Sequence, residues 1–233
     1  MAARTFDGTN DNLLSANNAV AGIDTDQKSW SAWIYLTAAP AALQNIMMAG
    51  TSDGAGNGRF AVYADAPLTA GYRPYMFADG STDGNWRGTD VSINARHHIA
   101  VTYDRGATTN DPVMYVDGAT ITVTELSTPV TLVGGDDTIK FGENMGGSQD
   151  FAGSILHAAL DGAILWTAAQ VNRAMWWGRP HGGLEVYHPF LTTKLADEGS
   201  AAETLTATGT TSGTVVTPCV RPGSAMLGMG VGW

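Results

Sequence analysis

The sequence predicts an all-β fold: a two-sheet antiparallel sandwich with one short helix near residues 167–176 and an irregular C-terminal tail. Three observations carry this expectation. In Ala95–Gly118, Ile99, Val101 and Tyr103 alternate with Ala100, Thr102 and Asp104, the period-2 pattern of a half-buried strand. Val113–Val116 follows as a partner strand, and Asp117-Gly118 tolerates the positive φ angles of a tight hairpin turn. Glycine fills 29 of 233 positions, well above the usual ~7%. Lysine occurs only at 28, 140 and 194, so long amphipathic helices lack one of their main building residues. Many short strands with glycine-rich turns fit this composition.

In chain order, residues 4–8 read as a first strand before the polar turn Thr9–Asn12. A second strand covers about 29–37, with Trp30, Ala32, Ile34 and Leu36 on one face and Ser31, Trp33 and Tyr35 on the other. Aromatics on both faces make it a central strand. Ile46–Ala49 is short and apolar, and the turn Thr51–Gly58 closes it. Arg59–Ala64 and Tyr72–Ala78 follow; Pro74 removes a ladder donor, which places the start of that strand at an edge or bulge. The turn Asp79–Gly84 precedes a weaker candidate, Trp86–Ile93.

Ala119–Leu126 alternates as a strand with one wet face, and Thr138–Phe141 is another short strand. Phe151–Trp166 reads as one long strand, with a bulge or kink near Asp161-Gly162. Thr167 is then a good N-cap, Gln170 holds the capping-box position, and Ala168, Val171 and Met175 fall at helical spacing. Gly178–Gly183 is a turn-rich hinge, Leu184–Phe190 a further strand, and 192–214 an extended surface segment. Gly223–Trp233 has no regular structure of its own. The chain thus divides into a sandwich, 1–178, and a C-terminal extension, 179–233, that packs on the sandwich or on a partner subunit.

Net charge is −10 with a pI near 4.7. Such a surface repels nucleic-acid phosphates and anionic membranes, and favours solubility. The single cysteine, Cys219, excludes an intrachain disulfide and a cysteine-based zinc site. No apolar core of a signal peptide follows Met1–Arg4, and no run approaches ~18 apolar residues, so neither a secretory leader nor a membrane span is expected.

Phe6-Asp7-Gly8-Thr9-Asn10-Asp11, Ser31-Ala32-Trp33-Ile34, His97-His98-Ile99-Ala100-Val101-Thr102-Tyr103-Asp104 and Met114-Tyr115-Val116-Asp117-Gly118 occur in that order, before a helix at 167–176. These phrases resemble the laminin-G-like or concanavalin-A-like jelly rolls over about residues 5–176. The resemblance implies a jelly roll, a fold that serves lectins, glycosidases and structural proteins alike. The phrase Leu184–Thr206 also resembles closing segments appended to laminin-G-like domains in structural proteins of tailed phages.

Glucanases of this superfamily carry a Glu-x-Asp-x-x-Glu strand of paired carboxylates. Here Glu125, Glu143, Glu185, Glu198 and Glu203 lack that spacing, and Asp161 has no carboxylate at ±2 or ±4. His97 and His98 are strand neighbours pointing to opposite faces, so they do not chelate one ion. His181 and His188 lack zinc-site spacing. Calcium is a possible cofactor, as in laminin-G-like and pentraxin-like relatives, with oxygen ligands in Asp7/Asn10/Asp11, Asp53/Asn57, Asp79/Asp83 and Asp136/Asp137. None of these clusters has EF-hand spacing, and Asp and Asn are also ordinary turn residues. Tyr72, Tyr75 and Trp86, flanking the loop with Asp79 and Asp83, are the candidate platform for stacking a sugar ring.

The expected function is that of a non-enzymatic virion protein of a tailed phage, a capsid decoration or other particle-surface component. It would assemble in the host cytoplasm, contact capsid or other virion proteins, and form a homo-oligomer. The alternative expectation is a carbohydrate-binding, lectin-like module, with calcium as a possible requirement and a host-surface glycan as its partner. No catalytic residue, nucleic acid or membrane enters either expectation.

Overall fold

The computed structural model describes residues 2–15, 26–50, 56–63, 71–132, 138–178, 186–188, 205–208 and 211–215. The strands begin with β1 (Ala2–Asp7), β2 (Asn12–Leu14), β3 (Gln27–Tyr35), β4 (Gln44–Gly50), β5 (Gly56–Tyr63) and β6 (Arg73–Ala78). They continue with β7 (Gly80–Thr82), β8 (Gly84–Arg87), β9 (Arg96–Asp104), β10 (Val113–Val116), β11 (Ala119–Thr120) and β12 (Thr124–Ser127). β13 (Val130–Leu132), β14 (Thr138–Phe141) and β15 (Ala152–Asp161) lead to the helix α1 (Ala168–Trp177). β16 (Val186–His188), β17 (Thr206–Thr208) and β18 (Thr211–Val215) follow it.

Two large antiparallel sheets face each other as a jelly-roll sandwich. The first has the order β11-β10-β9-β3-β15-β1-β18, with β16 also paired to β15. The second has the order β12-β8-β6-β5-β4-β14-β2-β17, and β13 with β7 forms a small ribbon. Alternation decides what lies between them. Trp30, Ala32 and Ile34 of β3 and Ile99, Val101 and Tyr103 of β9 face inward from the first sheet. Phe60, Val62, Met76, Ala78, Trp86, Ile139 and Phe141 meet them from the second. Each large side chain taken out of water there contributes about 1.5–3 kcal/mol.

The helix forms where the capping box predicts it. The Gln170 amide donates to the Thr167 hydroxyl (3.3 Å), and the Thr167 amide donates to the Gln170 side-chain carbonyl (2.8 Å). Gly178, at φ 76°, closes the other end by donating its N–H to Ala174. Val171 and Ala174 pack with Trp166 on Ala100, Tyr115 and Ala159, so α1 covers the outer face of the first sheet. Trp33 joins this layer by donating its indole N–H to the Met175 carbonyl (3.0 Å).

Several expectations need correction. Ala119–Leu126 is not one strand: β11 belongs to the first sheet and β12 to the second, and the residues between them cross the rim with Ile121 and Val123 half-buried against the core. The irregularity of the long strand lies between Leu156 and Ala159, at His157 (φ 49°), not at Asp161-Gly162, where the strand ends. Trp86–Ile93 shortens to β8 plus a lone bridge from Val91 to Tyr72. Pro74 sits in an interior strand, yet one step beyond the β8 ladder, where its carbonyl accepts from Gly88 (2.8 Å). With no N–H, Pro74 cannot return that bond to the Gly88 carbonyl, and the ladder stops at Tyr75–Arg87. In the extension, β16 on β15 falls within the strand expected at Leu184–Phe190, and the surface segment also holds β17 on β2 and β18 on β1. The threonines of β17 and β18 suit such edge pairing.

His98 is fully buried on the outer face of the first sheet, beside Trp33 at 5.5 Å between ring centroids. Neither ring nitrogen has a hydrogen-bond partner. Burial lowers its pKa to about 3; the nearby His157 pushes the same way, and Asp117 opposes. The folded value lies below the unfolded ~6.5, so the unfolded chain binds the proton first. Stability is full above pH ~6.5 and declines from there toward pH 3. His98→Phe is expected to flatten the melting temperature between pH 7 and pH 4, whereas the parent protein loses stability steadily; equal slopes would contradict a neutral buried imidazole.

Candidate functional site

The expected aromatic platform does not assemble on one surface. Tyr72 and Trp86 are buried in the core between the sheets, and the Trp86 indole N–H donates to Asp111 (2.7 Å). The Tyr72 hydroxyl is buried without a partner, and burial and the Asp117 charge push its pKa up. Tyr75 lies on the other side of its sheet, because residues 75 and 76 alternate and Met76 faces the core. Asp79 is half-buried, and exposed Asp83 closes its turn by accepting from the Gly80 amide (3.3 Å). Alternation separates the three aromatics, and sequence alone does not tell which side faces the core.

The outer face of the second sheet carries a different set. Register places Arg59 opposite Phe77, Tyr63 opposite Arg73, and Tyr75 opposite Arg87. Directly opposed residues share a face, so three arginine–aromatic pairs lie side by side there. The Arg59 guanidinium carbon sits 4.5 Å above the Phe77 ring centroid, a cation–π contact, and one of its nitrogens donates to the Gln149 side chain (3.3 Å). Phe77 and Tyr75 stack at 5.9 Å and 15°, and Tyr63 tilts against Tyr75 at 6.1 Å. Tyr75 and Phe77 are only 4% and 8% exposed, being covered in part by these neighbours, whereas Tyr63, Arg59, Arg73 and Arg87 are half-buried. Beside them opens a groove of about 420 Å³ lined by Arg73, Arg87, Gly88, Thr89, Asp90 and Thr124. Arg73 is ion-paired with the exposed Asp90 at its rim.

Carboxylates elsewhere serve the backbone. Asp7 accepts from Thr9, Asp11 from Asp7, and Asp150 from Asn10, all at the turn after β1. Burial, with the Asp7 and Asp150 charges, pushes the Asp11 carboxyl up against the pull of the Asp7 amide. Asp161 accepts from the Ala163 and Ile164 amides and from the Trp166 indole, so it anchors the entry to α1. Glu143 pairs with Lys140, and Glu125 stands on the edge strand opposite Trp86. Among the described residues, no group of three or more His, Cys, Asp or Glu side chains has a metal-holding arrangement. Asp53, Asp136, Asp137, Cys219, His181, Glu185, Glu198 and Glu203 lie outside the described residues, as do the side chains of Asn57 and His188. No helix of the described residues is long and apolar enough to cross a membrane.

His97 has partners that strand alternation could not reveal. Its Nδ1 bonds Asp117 (2.8 Å), and its Nε2 bonds the exposed Ser92 hydroxyl (2.9 Å). The other Asp117 oxygen accepts the His98 amide (2.9 Å). Asp117 is left-handed at φ 51° with Gly118 at φ 81°, the hairpin turn that Asp-Gly predicts. The order Ser–His–Asp is that of a nucleophile relay, but such a relay keeps its aspartate buried, and the Asp117 side chain is 45% exposed. The trio staples the β9–β10 hairpin to the loop before β9.

Comparisons agree with this architecture. A family model of the concanavalin A-like lectin/glucanases superfamily matches residues 7–169, and the chain belongs to that superfamily. No curated protein matches the sequence significantly. A heptameric SAP-like pentraxin of Limulus polyphemus superposes with a TM-score of 0.60 at 12% identity, over 91% of this chain and 94% of the pentraxin. A protein of Bacteroides ovatus proposed to bind carbohydrate gives 0.66 at 19% identity, over 93% of this chain and 60% of that one. The enzymatically active domain of tailspike protein 2 from bacteriophage CBA120 gives 0.53 at 16% identity, over 77% of this chain and 28% of that one. At such identities the likeness is one of fold.

Burial tends to raise the Asp117 pKa, but hydrogen bonds from His97 and the His98 amide, with the imidazole charges, hold it below the ordinary value. A depressed folded pKa gives stability that is present above ~3.9 and lost as pH falls through the folded value. Asp117→Ala is expected to cost about 1–2 kcal/mol in urea unfolding at pH 7, from the lost bonds. A fluorophosphonate probe is expected to leave Ser92 unlabelled; labelling there would contradict the staple.

Proposed function

We propose that this chain is a saccharide-binding domain whose ligand lies on the outer face of the second sheet. One observation carries the reading: an open groove of about 420 Å³, with guanidinium donors from Arg73 and Arg87 and hydroxyls from Thr89 and Thr124, beside the Tyr63–Tyr75–Phe77 rings. Pockets of this size with a few convergent polar groups are typical binding sites. Planar donor forks beside threonine hydroxyls suit a sugar, which offers hydroxyls at its edge. The fold's carbohydrate-linked relatives support the reading without assigning a sugar. The domain acts by binding; Asp7, Asp11 and Asp150 serve the turn after β1, Glu143 an ion pair and Asp161 the entry to α1.

A second reading concerns where the domain is used. The Leu184–Thr206 phrase resembles closing segments of tailed-phage structural proteins, and Trp176 and Trp177, 38% and 67% exposed, end α1 just before that extension. Both favour a particle-surface protein whose extension, 179–233, and helix end contact other virion proteins or sister copies. The five residues expected as a glycan platform are not used as one unit; of them, only Tyr75 borders the proposed face.

On a glycan array run below every variant's melting transition, Arg73→Gln/Arg87→Gln, which keeps most of each stem over its ring, is expected to lose at least about tenfold in affinity. Unchanged binding would remove the site from this face. Binding lost on EDTA treatment would move it to a calcium-dependent rim instead. Stoichiometric recovery of the chain in purified particles tests the virion reading.

A further inference from the structure

We infer that Lys140 and Asn12 become joined by an isopeptide bond, with Glu143 carrying the protons, so that β2 and β14 are covalently stapled. The staple is independent of any ligand on the second sheet. Lys140 stands opposite Leu14 and Phe141 opposite Leu13, which makes Asn12 the diagonal neighbour of Lys140. Leu13 and Phe141 face the core, so alternation turns Lys140 and Asn12 together to the other side of the sheet. Diagonal neighbours of this kind stand about 7–8 Å apart, within reach of a long side chain. Those two register pairs are all that β2 shares with β14, and a single cysteine leaves no intrachain disulfide to reinforce them.

The turn after β14 folds a carboxylate over this pair. Gly142, at φ 83°, makes the reversal, and a side chain there would run into the Phe6 ring. Glu143 then meets the Lys140 Nζ at 2.5 Å, and the same oxygen, Oε2, accepts the Asn12 side-chain amide at 2.9 Å. Amine and amide thus converge on one carboxylate oxygen. The Lys140 and Glu143 side chains are 9% and 5% exposed, so the meeting point is nearly out of water. Lys140 Nζ is held there by a further bond to the Asn144 carbonyl (3.0 Å). Asn144 turns both ends of its own side-chain amide to Ser148 (2.8 and 2.9 Å), which leaves Asn12 as the amide presented to the pair.

An ammonium is not a nucleophile, but Lys140 becomes one by passing a proton along the 2.5 Å bond to Glu143. Burial favours that exchange relative to water, because desolvation penalises two charges more than an amine beside a carboxylic acid. The protonated carboxyl is a donor, and rotation about the Asn12 Cβ–Cγ bond brings it the amide oxygen, whose polarisation exposes the carbon to attack. The Nζ lone pair then bonds to Cγ of Asn12, and a second Nζ proton passes through Glu143 to Nδ2. The Cγ–Nδ2 bond breaks with its electron pair on the departing ammonia. Ammonia takes the first proton from Glu143 and leaves as ammonium, which restores the carboxylate. Nothing is oxidised or reduced, and no co-reactant is needed.

The test is the mass of the full purified chain, with a tryptic map of the same sample. The chain is expected to be lighter than its sequence by one ammonia, about 17 Da. Trypsin is expected to release a branched peptide joining 5–28 to 106–173, since a linked Lys140 is no longer a cleavage site. Glu143→Gln, Lys140→Met and Asn12→Ala are each expected to keep their full sequence mass. Asn12→Ala, which leaves the Lys140–Glu143 pair in place, is expected to melt roughly 10 °C lower, because a cross-link closing so long a loop restricts the unfolded chain. A parent chain that keeps its full mass after days at neutral pH, with trypsin cutting at Lys140, overturns the inference whatever the variants do. Loss of ammonia without the branched peptide overturns it as well, since ring closure at an asparagine removes the same mass. Equal linkage in Glu143→Gln overturns the role of Glu143.

Discussion

The pairing of β3 with β9 is the constraint on which the rest depends. Nine residues, Gln27–Tyr35, run in unbroken register with Arg96–Asp104. A slip of one residue would turn outward either Trp30, Ala32 and Ile34 of β3 or Ile99, Val101 and Tyr103 of β9, and bring Ser31 or His98 and Thr102 into the core. The apolar cost of that exchange leaves a single viable register. Once it is set, β10 and β15 add to either side, and the buried tryptophan fixes where the second sheet must pack.

The same constraint makes the two outer faces unequal. On the first sheet the outward residues are small or apolar enough for Ala100, Tyr115 and Ala159 to accept α1 and Trp166. That face is used up by packing, and it hides a histidine without hydrogen-bond partners. Among the described residues no helix lies on the second sheet, whose outward face carries three arginines and their ring partners. An arginine stem covers apolar surface while its head reaches polar partners, as Arg59 reaches Gln149 and Arg73 reaches Asp90. Such a face needs no helix to be stable and keeps its donors in place.

The central hairpin, the inward set of β3 and the capping box of α1 were legible in the sequence, because each is a local pattern with a definite period or spacing. Long-range relations were not. Which side of Tyr72–Phe77 faces the core depends on what packs against it, so the platform of Tyr72, Tyr75 and Trp86 dissolved into two buried rings and one outward ring. The crossing at Ile121–Val123 looks like strand because both residues half-bury on the alternate positions of a rim. The partners of His97, Ser92 and Asp117, lie in turns and so fall outside any strand pattern. The arginine–aromatic pairs were visible as residues, but only the register of three strands shows that they share a face.

Net charge then acquires a meaning that composition alone did not give. A charge of −10 over the whole chain repels an anionic polymer. The strands β4, β5, β6 and β8 carry no acid, so the acids nearest them, such as Asp83 and Asp90, stand in the turns and loops at their ends. Hydrogen bonds within those turns, as from the Gly80 amide to Asp83, keep the acids where they are. Period-2 alternation therefore sorts charge as well as hydrophobicity: the strands place arginines across from rings, and the turns take the carboxylates.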